Sequence, residues 1–297
     1  MILLVLMLMQ TATPPSAVPP SGYVPERVYD STRDRFTDFE AMLAEVSRAD
    51  VLFVGEQHDD PNTHRLELAI LEGLKRRRAD LSLALEMFER DVQEPLSSYL
   101  EGRLGEDEFL SRSRPWPRYA ADYRPLVEFA RAHRWPILAT NMPRRLASAV
   151  AKGGLDALAS NDDRSLYAAD ECPRDDYFDR FAESMSEHPM PGAEKLTDAE
   201  KQSIVERFYL AQCLKDETMA ESIARARATS GALVVHVNGA FHSDFGDGVP
   251  ERVRRRLPQA RLAVISILPV DDLDAVAPTA DDRKRADYVV YTLAPSK

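Results

Sequence analysis

Positive charge is in short supply: across 297 residues, 38 Lys and Arg stand against 49 Asp and Glu, giving a formal net charge of −11 at pH 7. A nucleic-acid groove would have to be built against that field. Basic clusters such as Arg76-Arg77-Arg78 and Arg252 to Arg256 are few. Both are expected as solvated faces in the later turns of helices, where positive charge is favoured. Cysteine is nearly absent. Cys172 and Cys213 are too few for a disulfide framework and lack the CxxC spacing of a zinc or redox site. Cys213 falls in a helical pattern as a small core residue, while Cys172 sits in a charged loop with its pairing open. Also missing are G-x-G-x-x-G, a Walker loop, G-x-S-x-G and H-E-x-x-H. A nucleotide cradle, a serine-hydrolase elbow and a zinc-protease helix therefore have no motif behind them.

What is present is enough apolar residue, 44% of the chain, for a sizeable core. The opening apolar stretch, Ile2 to Met9, is far too short to cross a bilayer, and small residues and prolines follow it. It reads as the tail of a secretory signal, so export to the periplasm or cell envelope is expected. No Lys or Arg precedes the stretch and no nearby cysteine could take a lipid, so either the start lies upstream or the signal is weak. Pro14 to Pro25 reads as a linker, which makes residues 1–27 a signal-like segment plus linker and 28–297 one α/β domain.

Within that domain apolar runs recur at Asp50 to Gly55, Leu81 to Phe88, Pro136 to Thr140, Ala232 to Val237 and Arg261 to Leu268, each flanked by helical patterns. Strands alternating with helices imply a largely parallel sheet covered on both faces. Leu66, Ile70, Leu71 and Leu74 keep helical spacing between Asp60 and Arg78, as do Leu126, Phe129 and Ala130 between Asp122 and His133. The longest helix is expected from Thr197, where T-D-A-E forms a capping box, towards Gly231. Residues 97–120 and 156–195 have weaker periodicity and read as cover insertions over one end of the sheet. Asp287 to Leu293 alternates and is expected as an edge strand.

The strand ends carry the chemistry. VLFVG yields Glu56 and His58, LSLAL yields Glu86, PILAT yields Asn141, and LVVHV yields Asn238 with His242 four residues on. Open α/β sheets gather their ligand sites at that end. Glu56 and His58, two apart in extended chain, point to the same side, and Glu86 from a neighbouring strand can meet them. Two carboxylates and two imidazoles, counting His242, suit a divalent transition metal. Asn141 and Asn238 are equally turn formers. His64 either turns back to the pocket or caps its helix. His236 is expected as a satisfied core imidazole, and His133 and His188 as structural. Gln212 and Asp216 share a helix face and are candidates to support the site from behind.

Six blocks in order then carry a resemblance: GEQHDDPNTH at 55–64, ALEMFERDVQEPLSSYLEG at 84–102, the W-x-x-Y-x-x-x-Y-R-P-L run from Trp116, ATNMPRRL at 139–146, AQCLKDETMA at 211–220 and VNGAFHSDFGDGVPERV at 237–253. Together they resemble the ChaN-like family of haem-binding uptake proteins, in the Tiki and erythromycin-esterase superfamily. The resemblance implies an envelope protein that binds haem and serves iron uptake; the candidate cofactor-contacting positions are Glu56, His58 and His242, together with His64 and Asn141 from the strand-end reading. It leaves the axial ligand of haem open. It equally implies hydrolytic cousins, in which Glu56, His58, Glu86 and His242 hold a divalent metal or activate water. The expected partner is haem or another small molecule, with neither nucleic acid nor a transmembrane helix, and a monomer or a homodimer both remain open.

Overall fold

In the computed structural model, residues 25–158, 161–168, 172–187 and 195–295 are described, so the signal-like segment before residue 25 and His188 lie outside them. Among the described residues eight strands make one sheet. They are β1 (Glu26–Asp30), β2 (Arg35–Thr37), β3 (Val51–Glu56), β4 (Leu81–Glu89), β5 (Ile137–Asn141), β6 (Leu233–Gly239), β7 (Leu262–Val270) and β8 (Tyr288–Leu293), in the spatial order β2-β1-β8-β7-β3-β6-β4-β5. The six strands from β8 to β5 run parallel; β1 and β2 close the other side antiparallel. The largely parallel α/β sheet is thus as expected, and each apolar run became a strand displaced by a residue or two.

Two expectations are corrected. Asp287 to Leu293 is not an edge: β8 is flanked by β7 and by β1, and Tyr288 to Thr292 are buried on both faces. The folded body also starts earlier than Val28, because Glu26 and Arg27 already pair with Thr292 and Tyr291.

The helices are α1 (Phe39–Val46), α2 (Pro61–Lys75), α3 (Gln93–Leu100), α4 (Glu106–Ser113), α5 (Tyr119–Asp122), α6 (Arg124–Ala132), α7 (Arg144–Gly153), α8 (Asp176–Glu187), α9 (Asp198–Ser230), α10 (Val249–Arg256) and α11 (Asp282–Arg285). Because side chains alternate along a strand, each strand feeds two cores. Leu52, Val54, Leu83, Leu85, Val235 and Val237 bury against α1, α2 and α6 on one face. Val51, Phe53, Ala84 and Val234 bury against Met219, Ala220 and Ile223 of α9 and Val249 and Val253 of α10 on the other.

Local signals set the helix ends. Asp60 caps α2 by accepting from the amide of Asn62 at 2.8 Å, with Pro61 at the first position, where no amide hydrogen is needed. Thr197 and Glu200 form the capping box of α9, and Gly231 ends it in the left-handed region at φ 66°.

Cys172 and Cys213 form a disulfide, so Cys172 acquires the partner that spacing alone could not give it. The bond ties the segment before α8 to α9, beneath an aromatic cluster of Tyr177, Tyr209 and Phe241. The run Arg252 to Arg256 is not merely a solvated face. Arg252 is buried with its Nε 3.0 Å from Glu217, and Arg255 and Arg256 pair with the same carboxylate. A buried Glu217 would carry a large desolvation cost, and three guanidiniums offset it.

Candidate functional site at the carboxyl rim of the sheet

Glu56 ends β3, Glu86 lies near the end of β4, and β6 runs between these two strands, so the two acids are not on neighbouring strands as the sequence suggested. The β6 residue between them, Gly239, has no side chain. Gly239 pairs in register with Glu56, and its amide donates to Glu86 Oε2 at 2.8 Å. A Cβ on Gly239 would stand 2.6 Å from His58 Nε2 and 3.6 Å from Glu86 Oε2. The glycine therefore makes the floor across which His58 and Glu86 approach each other.

Glu56 is buried and accepts twice through Oε1: from Tyr123 at 2.7 Å and from His58 Nδ1 at 2.5 Å. A carboxylate only accepts, so His58 carries a proton on Nδ1. Desolvation opposes charge on this imidazole, but the bond to Glu56 and the charges of Glu86 and Glu56 outweigh it and raise its pKa. The His58 side chain is nonetheless 46% exposed, and its ring meets the edge of Trp116 at 5.1 Å.

His242 is buried in the one-turn helix after β6, with Nε2 3.3 Å from Glu86 Oε1 and Nδ1 on Asp216 Oδ1. Asp216 takes its other bond from Tyr177 at 2.7 Å, and Gln212 donates to the Tyr177 hydroxyl at 3.2 Å. Burial disfavours the imidazolium, yet Glu86 and Asp216 on either side lift the His242 pKa to about 10. Glu86 is correspondingly held far below the carboxylate range: burial raises it, and His242, His58 and the Gly239 amide more than reverse that.

The four residues read from the strand ends, Glu56, His58, Glu86 and His242, are thus brought together. Asn141 is not free for a ligand. Its amide donates to the Glu86 carbonyl at 3.1 Å and its oxygen accepts from the Met142 amide at 2.8 Å, which is the turn-former role. Asn238 likewise serves the turn, donating to the Gly239 carbonyl and to Ser243 Oγ. His236 is core, bonded through Nδ1 to the Ala84 carbonyl, and burial lowers its pKa to about 4. Gln212 and Asp216 do support the site from behind. His64 turns back and is buried behind Glu56, 3.8 Å from Oε2. Glu67, Asp122 and Tyr123 join it there, and the strand ends do not point to them.

Beside Trp116 a cavity of 360 Å³ is lined by Arg114, Arg144 and Arg145 together with Glu89 and Asp91. Two larger clefts, of 640 and 520 Å³, flank the edge strand β5; none of the three cavities is lined by the four rim residues, but the one of 360 Å³ shares Trp116 with the His58 ring. Size alone would select those clefts. The titratable chemistry is at the rim, which is where ligands of open α/β sheets bind.

Fold and rim together define a class: a parallel-sheet protein with a buried acid and imidazole cluster opening beside an aromatic, arginine-lined cavity. The sequence profile described as "Haem-binding uptake, Tiki superfamily, ChaN" matches residues 42–253, and the chain belongs to that family. Among solved structures it is similar to the one titled "Cofacial heme binding to ChaN of Campylobacter jejuni", with a TM-score of 0.66 at 17% identity over 91% of this chain and 97% of that one. It shares its fold with a mutant of the erythromycin esterase EreC in an open conformation, with a TM-score of 0.52 at 12% identity, covering 92% and 98% of the two chains. A curated relative, "Protein RETICULATA-RELATED 5, chloroplastic" of Arabidopsis thaliana, is 27% identical over 270 residues; they are 83% of this chain and 35% of that protein, so the chain spans about a third of its length.

Proposed function

We propose that this protein binds haem over the rim formed by His58 and Trp116 and handles haem iron in the cell envelope. One observation carries the reading: the rim's half-exposed imidazole, fixed through Nδ1 by Glu56, stands against the edge of Trp116 beside the arginine-lined cavity.

A porphyrin needs an apolar flat contact, cations for its two propionates and a nitrogen or oxygen donor within reach of the metal, and this donor set supplies each. Trp116 offers the apolar ring, Arg144 and Arg145 offer charge at the cavity, and His58 offers the imidazole. Haem, when bound, supplies an iron centre that accepts such axial donors. The tyrosines of the cover fit an axial role less well. Tyr119, Tyr123, Tyr167 and Tyr177 are all buried; Tyr123 and Tyr177 already donate to carboxylates, and burial holds both phenols above their ordinary pKa. Glu56 orients His58, and Tyr123 orients Glu56. Export is supported by the apolar stretch Ile2 to Met9 and by the Cys172–Cys213 disulfide, since disulfides persist in oxidising compartments.

The test is a haemin titration of the purified protein followed at the Soret band. Saturable, stoichiometric change is expected, weakened by His58→Ala and by Trp116→Ala. Absence of saturation, or saturation unaltered in both variants, contradicts this assignment.

A second reading, hydrolysis, is favoured by the relay Glu86–His242–Asp216–Tyr177. An imidazolium with a pKa of about 10 stays protonated at neutral pH, which suits it to fixing Glu86 and to stabilising negative charge that develops on a substrate, with Glu86 as the acceptor of a water proton. Turnover of an ester or amide substrate with a bell-shaped pH profile, lost in His242→Gln while haemin binding persists, would establish this activity.

A further inference from the structure

Behind the rim, Glu56 presents a second face that the haem reading does not use. Oε1 serves His58 and Tyr123, while Oε2 is buried without a hydrogen-bond donor. On that side lie His64 and Glu67, three apart on α2 and so on one helix face, both buried. Glu67 Oε1 also has no donor.

The tautomer of His64 makes this arrangement informative. Its Nε2 stands 3.2 Å from the carbonyl oxygen of His58, which can only accept, and 3.6 Å from Asp122 Oδ2. The ring proton therefore belongs on Nε2 in the neutral imidazole. Nδ1 then aims a lone pair at Glu67 Oε2, 3.2 Å away, and at Glu56 Oε2, 3.8 Å away. A lone pair facing two carboxylates is repulsive unless a proton or a cation stands between them. Metal-bound histidines show this same division, one nitrogen on the ion and the other donating to a carbonyl or carboxylate.

We propose that Glu56, His64 and Glu67 form a buried site for one divalent transition metal, of the zinc or manganese kind, distinct from the haem rim. One donor atom from each lies within 4.8 Å of the other two. Donors around a tetrahedral ion, at bonds of about 2.1 Å, stand about 3.4 Å apart, so the three side chains would have to draw in by up to about 1.4 Å to close the site. One imidazole with two carboxylates is a donor set that zinc and manganese accept. Charge agrees. Glu56, Glu67 and Asp122 converge here, and among the described residues the one arginine on them is Arg118, with Nε 2.7 Å from Asp122 Oδ2. Asp122 is thus engaged from outside and orients His64 rather than binding the ion. Glu56 would link the two regions, one oxygen on the metal and the other on His58.

The experiment strips the full-length protein with a chelator and titrates Zn²⁺ or Mn²⁺ by calorimetry, then records the nitrogen couplings of bound Mn²⁺ by pulsed EPR. One equivalent is expected, with a single coupled imidazole nitrogen. Affinity should fall at least about 10-fold in His64→Ala and in Glu67→Gln and persist in His242→Ala. Two coupled nitrogens would place the ion between His58 and His242 and overturn the proposal. So would no uptake of either metal, which leaves a shared proton between the carboxylates. The EPR readout on the unaltered protein decides the matter even if a variant fails to fold. Haemin titration is separate, so failure of the haem reading and failure of this site are distinguishable.

Discussion

The amide of Gly239 donates to Oε2 of Glu86 at 2.8 Å, while its Cα lies under the imidazole of His58. One residue without a side chain thus fixes one acid by its backbone and admits the histidine by its emptiness. Gly239→Ala tests this. Its methyl would meet His58 Nε2 at 2.6 Å, so the ring must move off Gly239. Overpacking of this kind costs about 1–3 kcal/mol, and moving a half-exposed ring should fall at the low end. Haemin affinity should change by more than stability does. A variant with native haemin binding and native stability would show that His58 is not held as described.

The pH dependence of stability follows from His242. Its pKa is raised to about 10 in the fold, against an ordinary value near 6.5. A cation with a raised pKa contributes its full stabilisation below the unfolded value and loses it as pH rises through the folded one. Stability should therefore fall between about pH 6.5 and 10, by about 2–4 kcal/mol from this group. Denaturant titrations at pH 6.5 and 9.5 measure it. His242→Gln should flatten the difference; an equal fall in the variant would assign the alkaline loss elsewhere.

The Cys172–Cys213 bond closes a loop across 41 positions and anchors the start of α8 against α9. Chain entropy assigns such a loop about 4 kcal/mol. Reduction, or replacement of both residues by serine, should lower Tm by several degrees and open α8 to proteolysis. The buried strands β3, β4 and β6 should keep their hydrogen-exchange protection. Unchanged melting after verified reduction would contradict this.

Much of the architecture was legible because β3, β4, β6 and β7 are apolar on both faces, and that forces alternating helices around a parallel sheet. The rim quartet was legible because Glu56 and Glu86 directly follow such runs and His58 and His242 come within five residues of their ends. What escaped was set by partners distant in sequence. β8 reads as an edge until β1, whose pattern is short and polar at one end, pairs with it. Arg252 reads as solvated until Glu217 is placed beneath it. Glu67 had a local signal: an acid three, four and seven residues before Ile70, Leu71 and Leu74, inside their apolar stripe. A carboxyl group at a core-facing position is costly unless it has a partner, and that cost points to His64. Cys172 gave no such sign, since pairing across 41 residues depends on where the segment before α8 settles.

The most direct measurement of the central claim is the position of iron in crystals of the haemin complex, from anomalous scattering at the iron edge. The account predicts an iron peak at the rim, beside the His58 imidazole, with porphyrin against Trp116 and propionates towards Arg144 and Arg145. An iron peak in either of the larger clefts along β5, with the rim left unchanged, would contradict it.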